Sequence, residues 1–131
     1  MRYLGIDYGT RYVGLAIGDD EMRFALPLTI IDTTDYDTLI AEIKKHIASE
    51  DVKTLVVGIP ASGTPHTEQA ETTREFVEKI RTELGLPVET VDESFTSKQA
   101  EEMLKQTGNS KDNHSTAAML ILQTYFDRNA H

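Results

Sequence analysis

The chain has no cysteine among its 131 residues. That removes disulfides, thiolate zinc sites and cysteine nucleophiles from consideration. No apolar run approaches the ~20 residues that span a bilayer, so no membrane partner is expected. The opening segment Arg2-Tyr3-Leu4-Gly5-Ile6 reads as a strand and lacks the long apolar stretch and small-residue cleavage site of a signal peptide. A cytoplasmic protein is the expectation. There is no repeat, low-complexity tract or dividing linker, so residues 1–131 read as a single domain.

Basic residues are also scarce. Thirteen Lys and Arg face 22 Asp and Glu, for a formal net charge of −9. A nucleic-acid binder usually shows a basic face, so this balance argues against tight, static binding of nucleic acid. It argues less against catalysis on it. An enzyme with carboxylate-held metals needs acidic residues and turns over a weakly bound substrate.

What is present is a pattern of short apolar strands and amphipathic helices. Tyr3 to Asp7 and Tyr12 to Gly18 read as strands joined by a Gly-containing polar turn. Phe24 to Ile31 is a third strand. Pro27 within it removes a backbone donor, which predicts an edge strand or a bulge. Leu39, Ile40, Ile43 and Ile47 recur at helical spacing. Thr54 to Ile59 is almost wholly apolar, as in strands buried on both faces, and Pro60 to Pro65 is a loop. Thr73, Phe76, Val77, Ile80 and Leu84 mark a second helix, with Gly85 as its stop. Val88 to Val91 is a fifth strand, ending in Asp92-Glu93.

Thr96 with Gln99 fits a capping box for a helix carrying Ala100, Met103 and Leu104. Gln106 to Asp112 is a polar loop. A last helix carries Ala117, Ala118, Ile121, Leu122 and Tyr125. The order βββαβαβαα predicts an α/β fold: a five-stranded mixed sheet, an antiparallel meander plus parallel strands, flanked by helices.

Polar residues at strand C-terminal ends in such sheets line a common crevice. The rule points to Asp7, the loop after Ile59, and Asp92-Glu93. Each has an ordinary reading as well. Asp7 is a turn former, and Asp92-Glu93-Ser94 is a solvated turn with Ser94 or Thr96 capping the next helix. Together they say more. The first and fourth positions of a mixed sheet can lie side by side, with a carboxylate at the end of each. A third ligand from the start of the last helix would complete an oxygen-rich pocket for Mg²⁺ or Mn²⁺. Two such ions activate a water and stabilise the leaving oxygen in phosphodiester hydrolysis.

These segments carry a family resemblance. Gly5-Ile6-Asp7-Tyr8-Gly9-Thr10-Arg11-Tyr12-Val13-Gly14-Leu15-Ala16-Ile17-Gly18-Asp19 resembles the opening motif of the YqgF family. Val56-Val57-Gly58-Ile59-Pro60 resembles its buried strand, and Val91-Asp92-Glu93-Ser94-Phe95-Thr96-Ser97 its Asp-Glu-Arg-hydrophobic-Thr-Thr segment. Ala117 to Phe126 resembles its final helix. The similarity spans nearly the whole chain, in order.

The resemblance implies an RNase H-like nuclease domain. Two activities are attributed to the family, 5′-end processing of pre-16S rRNA and Holliday-junction resolution. Precursor rRNA or branched DNA are therefore the implied nucleic-acid partners, with ribosome association and a homodimer as further expectations. It also implies Asp7 and Glu93 as the first two metal-binding acids. The third acid of the family falls where His114 stands. Some RNase H-like resolvases use His there, and a neutral imidazole suits Mn²⁺ better than Mg²⁺. His114 could also position the attacking water, or serve only as a polar residue near a helix start. Asp112 is the alternative third ligand, its ordinary role being a helix cap.

Gly9, Thr10, Arg11 and Lys98 are the candidate substrate contacts, with Arg74 and Lys111 behind them as ordinary solvated charges. Tyr125 and Phe126 read as core or dimer surface. Two further departures matter. Ser94 stands where the family has an Arg that could grip phosphate through two nitrogens, and Ala61-Ser62-Gly63-Thr64-Pro65 is shorter than the family's loop. Two other readings stay open: a non-catalytic RNA- or ribosome-associated module of the same fold, and an actin-like kinase. Asp7-Tyr8-Gly9-Thr10 also looks like the phosphate loop of the latter, which needs two such domains to enclose ATP.

Overall fold

The computed structural model describes residues 1–9, 11–59, 68–92 and 112–129. Their elements, in chain order, are β1 (Arg2–Asp7), β2 (Tyr12–Asp19), β3 (Phe24–Asp32), α1 (Tyr36–Glu50), β4 (Val52–Ile59), α2 (Glu68–Leu84), β5 (Val88–Asp92) and α3 (Asp112–Arg128). The expected helix through Met103 and Leu104 lies outside the described residues.

The strands form one sheet in the order β3-β2-β1-β4-β5. β1 pairs antiparallel with β2, and β2 with β3, which is the expected meander. β1, β4 and β5 run parallel, so Asp7, Ile59 and Asp92 end at the same edge. Pro27 lies on an edge strand, as its missing donor requires. It also lies beside a bulge: Leu15 pairs with Thr29 and Ala16 with Pro27, leaving Leu28 as the extra residue on β3.

One expectation on strand position needs correction. β1 and β4 do lie side by side, but the strand that ends in Asp92 is β5, with β4 between it and β1. Two interstrand spacings, about 10 Å, therefore separate the two carboxylate-bearing strands. The cause is hydrophobicity. Leu55, Val56 and Val57 of β4 are fully buried, and only an interior strand covered on both faces can bury them all. β5, with exposed Glu89 and Thr90, takes the edge.

Side chains alternate across the sheet, and the two faces are covered differently. Leu4, Ile6, Val13, Leu15, Leu55 and Val57 join Leu39, Ile40 and Ile43 of α1 and Phe76, Val77 and Ile80 of α2 in one core. Tyr3, Ala16, Val56 and Val91 meet Ala118, Ile121, Leu122 and Phe126 of α3 in the other. Tyr3 packs edge-on against Phe126 with ring centroids 5.3 Å apart, and Phe126 is core. Local signals set the helix ends. Asp35 caps α1 by accepting from the Thr38 N–H. Gly85 stops α2 at φ +63°, a left-handed conformation that glycine adopts without strain. Among the described residues, no helix is long and apolar enough to cross a membrane.

Candidate active site

Asp7 is the last residue of β1, at the edge where the parallel strands end. The segment beyond it is held from two sides. The Tyr8 ring stacks on Phe76 of α2, with centroids 4.1 Å apart and planes 10° apart. The Arg11 carbonyl accepts a 2.9 Å hydrogen bond from the Thr33 N–H just past β3. Gly9 has a packing reason. A Cβ there would stand 2.6 Å from the Tyr12 carbonyl oxygen and 3.4 Å from Cε1 of His114.

His114 reaches this edge from the far end of the chain. It is the third residue of α3 and lies four residues before Ala118, so it extends the buried stripe Ala118, Ile121, Leu122 by one turn. The stripe runs over the sheet and passes its rim at this point. A polar side chain therefore occupies the inward-facing position. Its Nδ1 stands 3.0 Å from Oδ2 of Asp7 across 107 residues of sequence. Nδ1 donates in the tautomer that carries hydrogen there. The Asp7 side chain keeps 16% and that of His114 31% of its full exposure, so the pair is partly desolvated yet open to an approaching group.

Glycines make this reach possible. A Cβ on Gly14 would overlap the His114 carbonyl, and one on Gly5 would stand 2.7 Å from the Ala118 carbonyl oxygen. The backbone of α3 lies directly on that of β1 and β2, a distance only glycine permits. The Tyr12 ring completes the surround, tilted at 35° with its centroid 5.8 Å from that of His114.

Of the residues expected at the site, Asp7, Gly9 and His114 are brought together. Arg11 lies beside them, but its Nε donates to Oδ1 of Asp32 at 3.1 Å. The exposed guanidinium lies 5.3 Å from the Tyr12 ring centroid. Glu93, Thr10, Lys98 and Lys111 lie outside the described residues, as do the departures at Ser94 and after Pro60. Arg74 is exposed on α2, whose core lies across the sheet from α3. Asp7 and His114 offer a metal one carboxylate oxygen and one imidazole nitrogen. Among the described residues no group of three potential ligands occurs.

A family model described as "RuvX: Holliday junction resolvase" matches residues 1–128. The chain belongs to the RuvX family. Among relatives, a "Putative pre-16S rRNA nuclease" of Maridesulfovibrio salexigens is 35% identical over 98% of this chain and 99% of its own length. One of the same name from Chloroflexus aggregans is 38% identical over 95% of this chain and 92% of its own. Among solved structures, Thermus thermophilus RuvC in complex with a Holliday junction substrate superposes with a TM-score of 0.66. It is 20% identical over 98% of this chain and 95% of its own. At that identity the likeness establishes the RNase H-like fold.

Within this RuvX-family fold, three positioning residues escape a reading of the sequence alone. Tyr8 anchors the turn after Asp7. Tyr12 neighbours the imidazole. Gly14 admits the start of α3. The spacing of Gly5, Gly14 and Gly18 was the available signal, but a strand glycine reveals its purpose only when its cross-sheet partner is known.

Proposed function

We propose that the chain is a divalent-metal-dependent nuclease that hydrolyses phosphodiester bonds of structured nucleic acid in the cytoplasm. The substrate favoured is precursor 16S rRNA, at its 5′ end, with residues 1–131 acting as one nuclease domain. The observation that carries the reading is the 3.0 Å approach of His114 to Asp7. It sets a nitrogen and a carboxylate at the edge where the parallel strands end. The names of the full-length relatives supply the substrate.

Asp7, Glu93 and His114 would hold the metal. Glu93 follows directly on Asp92, the last residue of β5. The mixed nitrogen and oxygen donors suit Mn²⁺ at least as well as Mg²⁺. A bound ion, or a pair of them, would lower the pKa of a water and offset charge on the leaving oxygen. The residues around it have separate tasks. Before an ion binds, Asp7 also fixes the orientation of the imidazole through its contact with Nδ1. Tyr12 and the Gly9 turn confine it. Arg11 brings positive charge to a chain of net charge −9. With so acidic a chain and few cations to neutralise phosphates, binding should be weak. That suits turnover more than retention.

Branched DNA is the second reading, favoured by the resolvase description of the matching family. Both are tested by Mg²⁺- and Mn²⁺-dependent cleavage of a 16S precursor RNA and a four-way DNA junction, with Asp7→Asn as control. Cleavage abolished by Asp7→Asn is expected, and the preferred substrate separates the two. His114→Ala should lower kcat by about 10²–10⁴-fold, whereas His114→Asp should retain metal-dependent activity. If the folded chain cleaves neither substrate with either metal, the nuclease reading fails and a non-catalytic module takes its place.

A further inference from the structure

A cleft of about 450 Å³ opens beside the Asp7–His114 pair, lined by Tyr12, Pro27, Leu28, Ile30, Asp32 and Ser115, with Thr29. Its origin is clear from the fold. Tyr12 pairs with Asp32 and Gly14 with Ile30, so these residues share the face covered by α3. The α3 backbone reaches Gly14, while Tyr12 and Asp32 lie toward the rim. The bulge at Leu28 bends the edge strand here. The volume lies within the range of small-ligand sites, about 300–1,000 Å³. His114 and Ser115 are consecutive, so one helical turn serves both the candidate active site and the cleft.

We propose that this cleft receives one unpaired nucleobase bearing an exocyclic amine, from the strand whose phosphate lies at Asp7 and His114. The inference rests on the nucleic-acid reading above. Two features of the lining and one residue beside it decide the ligand class. An aromatic ring with Pro27 and Ile30 offers a flat, apolar contact that suits the face of a base. Bases stacked within a duplex do not present that face, so the occupant is unpaired. Asp32 puts a carboxylate into the lining, which excludes a phosphate from the interior. Arg11 engages one of its oxygens, and a carboxylate has about four acceptor positions. Those that remain accept from the amines of cytosine, adenine or guanine. The carbonyl oxygens of uracil would face them unfavourably. Arg11 donates through Nε to Asp32 and carries four further N–H groups. Through its ion pair with Asp32 it stands next to the cleft lining, where the next phosphate would pass.

The test is a titration of the full-length, isotope-labelled chain with single-stranded RNA pentamers, without metal so that nothing is cleaved. Amide shifts of Tyr12, Ile30, Asp32 and Ser115 are expected with oligocytidine, and about tenfold weaker binding with oligouridine. Tyr12→Ala should weaken oligocytidine by about 10- to 100-fold, while Tyr12→Phe keeps the stacking surface and the affinity. Asp32→Asn should erase the preference over oligouridine. Melting curves of each variant verify folding. Shifts at Asp7 and His114 that leave the cleft residues unmoved would overturn the proposal and spare the nuclease reading. Equal affinity for both pentamers would overturn the claimed amine recognition. Absence of pentamer binding by a chain that still cleaves its substrate would overturn the cleft as a base site. Absence of both binding and cleavage would remove the two readings together.

Discussion

On the face covered by α1 and α2, Leu4, Ile6, Leu15, Leu55 and Val57 fill the space between sheet and helices. On the face covered by α3, the same strands present Gly5, Gly14, Ala16 and Gly18. The first face separates its layers with branched side chains throughout, and the second does so at Tyr3 and Val56 but removes side chains at its glycines, where backbones touch. A side-chain-filled layer yields by repacking. A helix lying on glycine cannot be lifted without carrying its first turn away from the sheet edge. The candidate active site is built on the second face, where the helix position is fixed most tightly.

The largest effect should come from the first face and spare the site. Leu55→Ala removes a fully buried side chain and should cost about 2–5 kcal/mol. Chemical denaturation measures the loss. At a temperature where the variant stays folded, its cleavage rate should match the unmodified chain. A large drop there would dissolve the distinction between the faces.

Gly14→Ala should cost less stability, about 1–3 kcal/mol of overpacking, yet reduce cleavage to background. The added methyl displaces the His114 backbone and so the imidazole. Retained cleavage by Gly14→Ala would show that the close approach of α3 is not what positions His114. Tyr8→Leu keeps apolar bulk but gives up the stack on Phe76. About 0.5–1.5 kcal/mol should be lost, with kcat falling more than KM rises, because the turn after Asp7 loosens.

The smallest effect concerns acid. The Thr38 hydroxyl, and then the Thr38 N–H, hold the Asp35 carboxyl below the usual aspartate range. A carboxyl depressed in the folded state adds stability above its unfolded value, near 4, and loses it as pH falls through the folded value. Asp35→Ala should therefore melt lower than the unmodified chain at neutral pH, and the gap should close in acid. A gap independent of pH would assign the effect to something other than this cap.

Much of the fold could be read from the sequence, because it rests on local signals. Pro27 announced an edge strand or a bulge, and β3 has both; Gly85 announced a helix stop, and the apolar run of β4 an interior strand. His114 was found by its place before Ala117-Ala118. Its partner at 3.0 Å was harder to read, because that contact depends on how β1 and α3 pack 107 residues apart. Tyr12 is an example of the same gap. As one strand residue it looks like any half-buried aromatic, and only the bulge on β3 and the start of α3 make it the side of a cleft. The separation of β5 from β1 likewise follows from competition among strands for the interior. No segment shows that by itself.

The long span between Asp7 and His114 also has a consequence in time. Chains leave the ribosome N-terminus first and fold as they emerge. All five strands are available before α3 is made, but the imidazole arrives only with that helix. A nascent chain therefore carries the carboxylate half of the site through synthesis without its histidine half. If the site hydrolyses RNA with the help of His114, as proposed, this order of assembly holds its activity back beside the messenger and the ribosome that are making it.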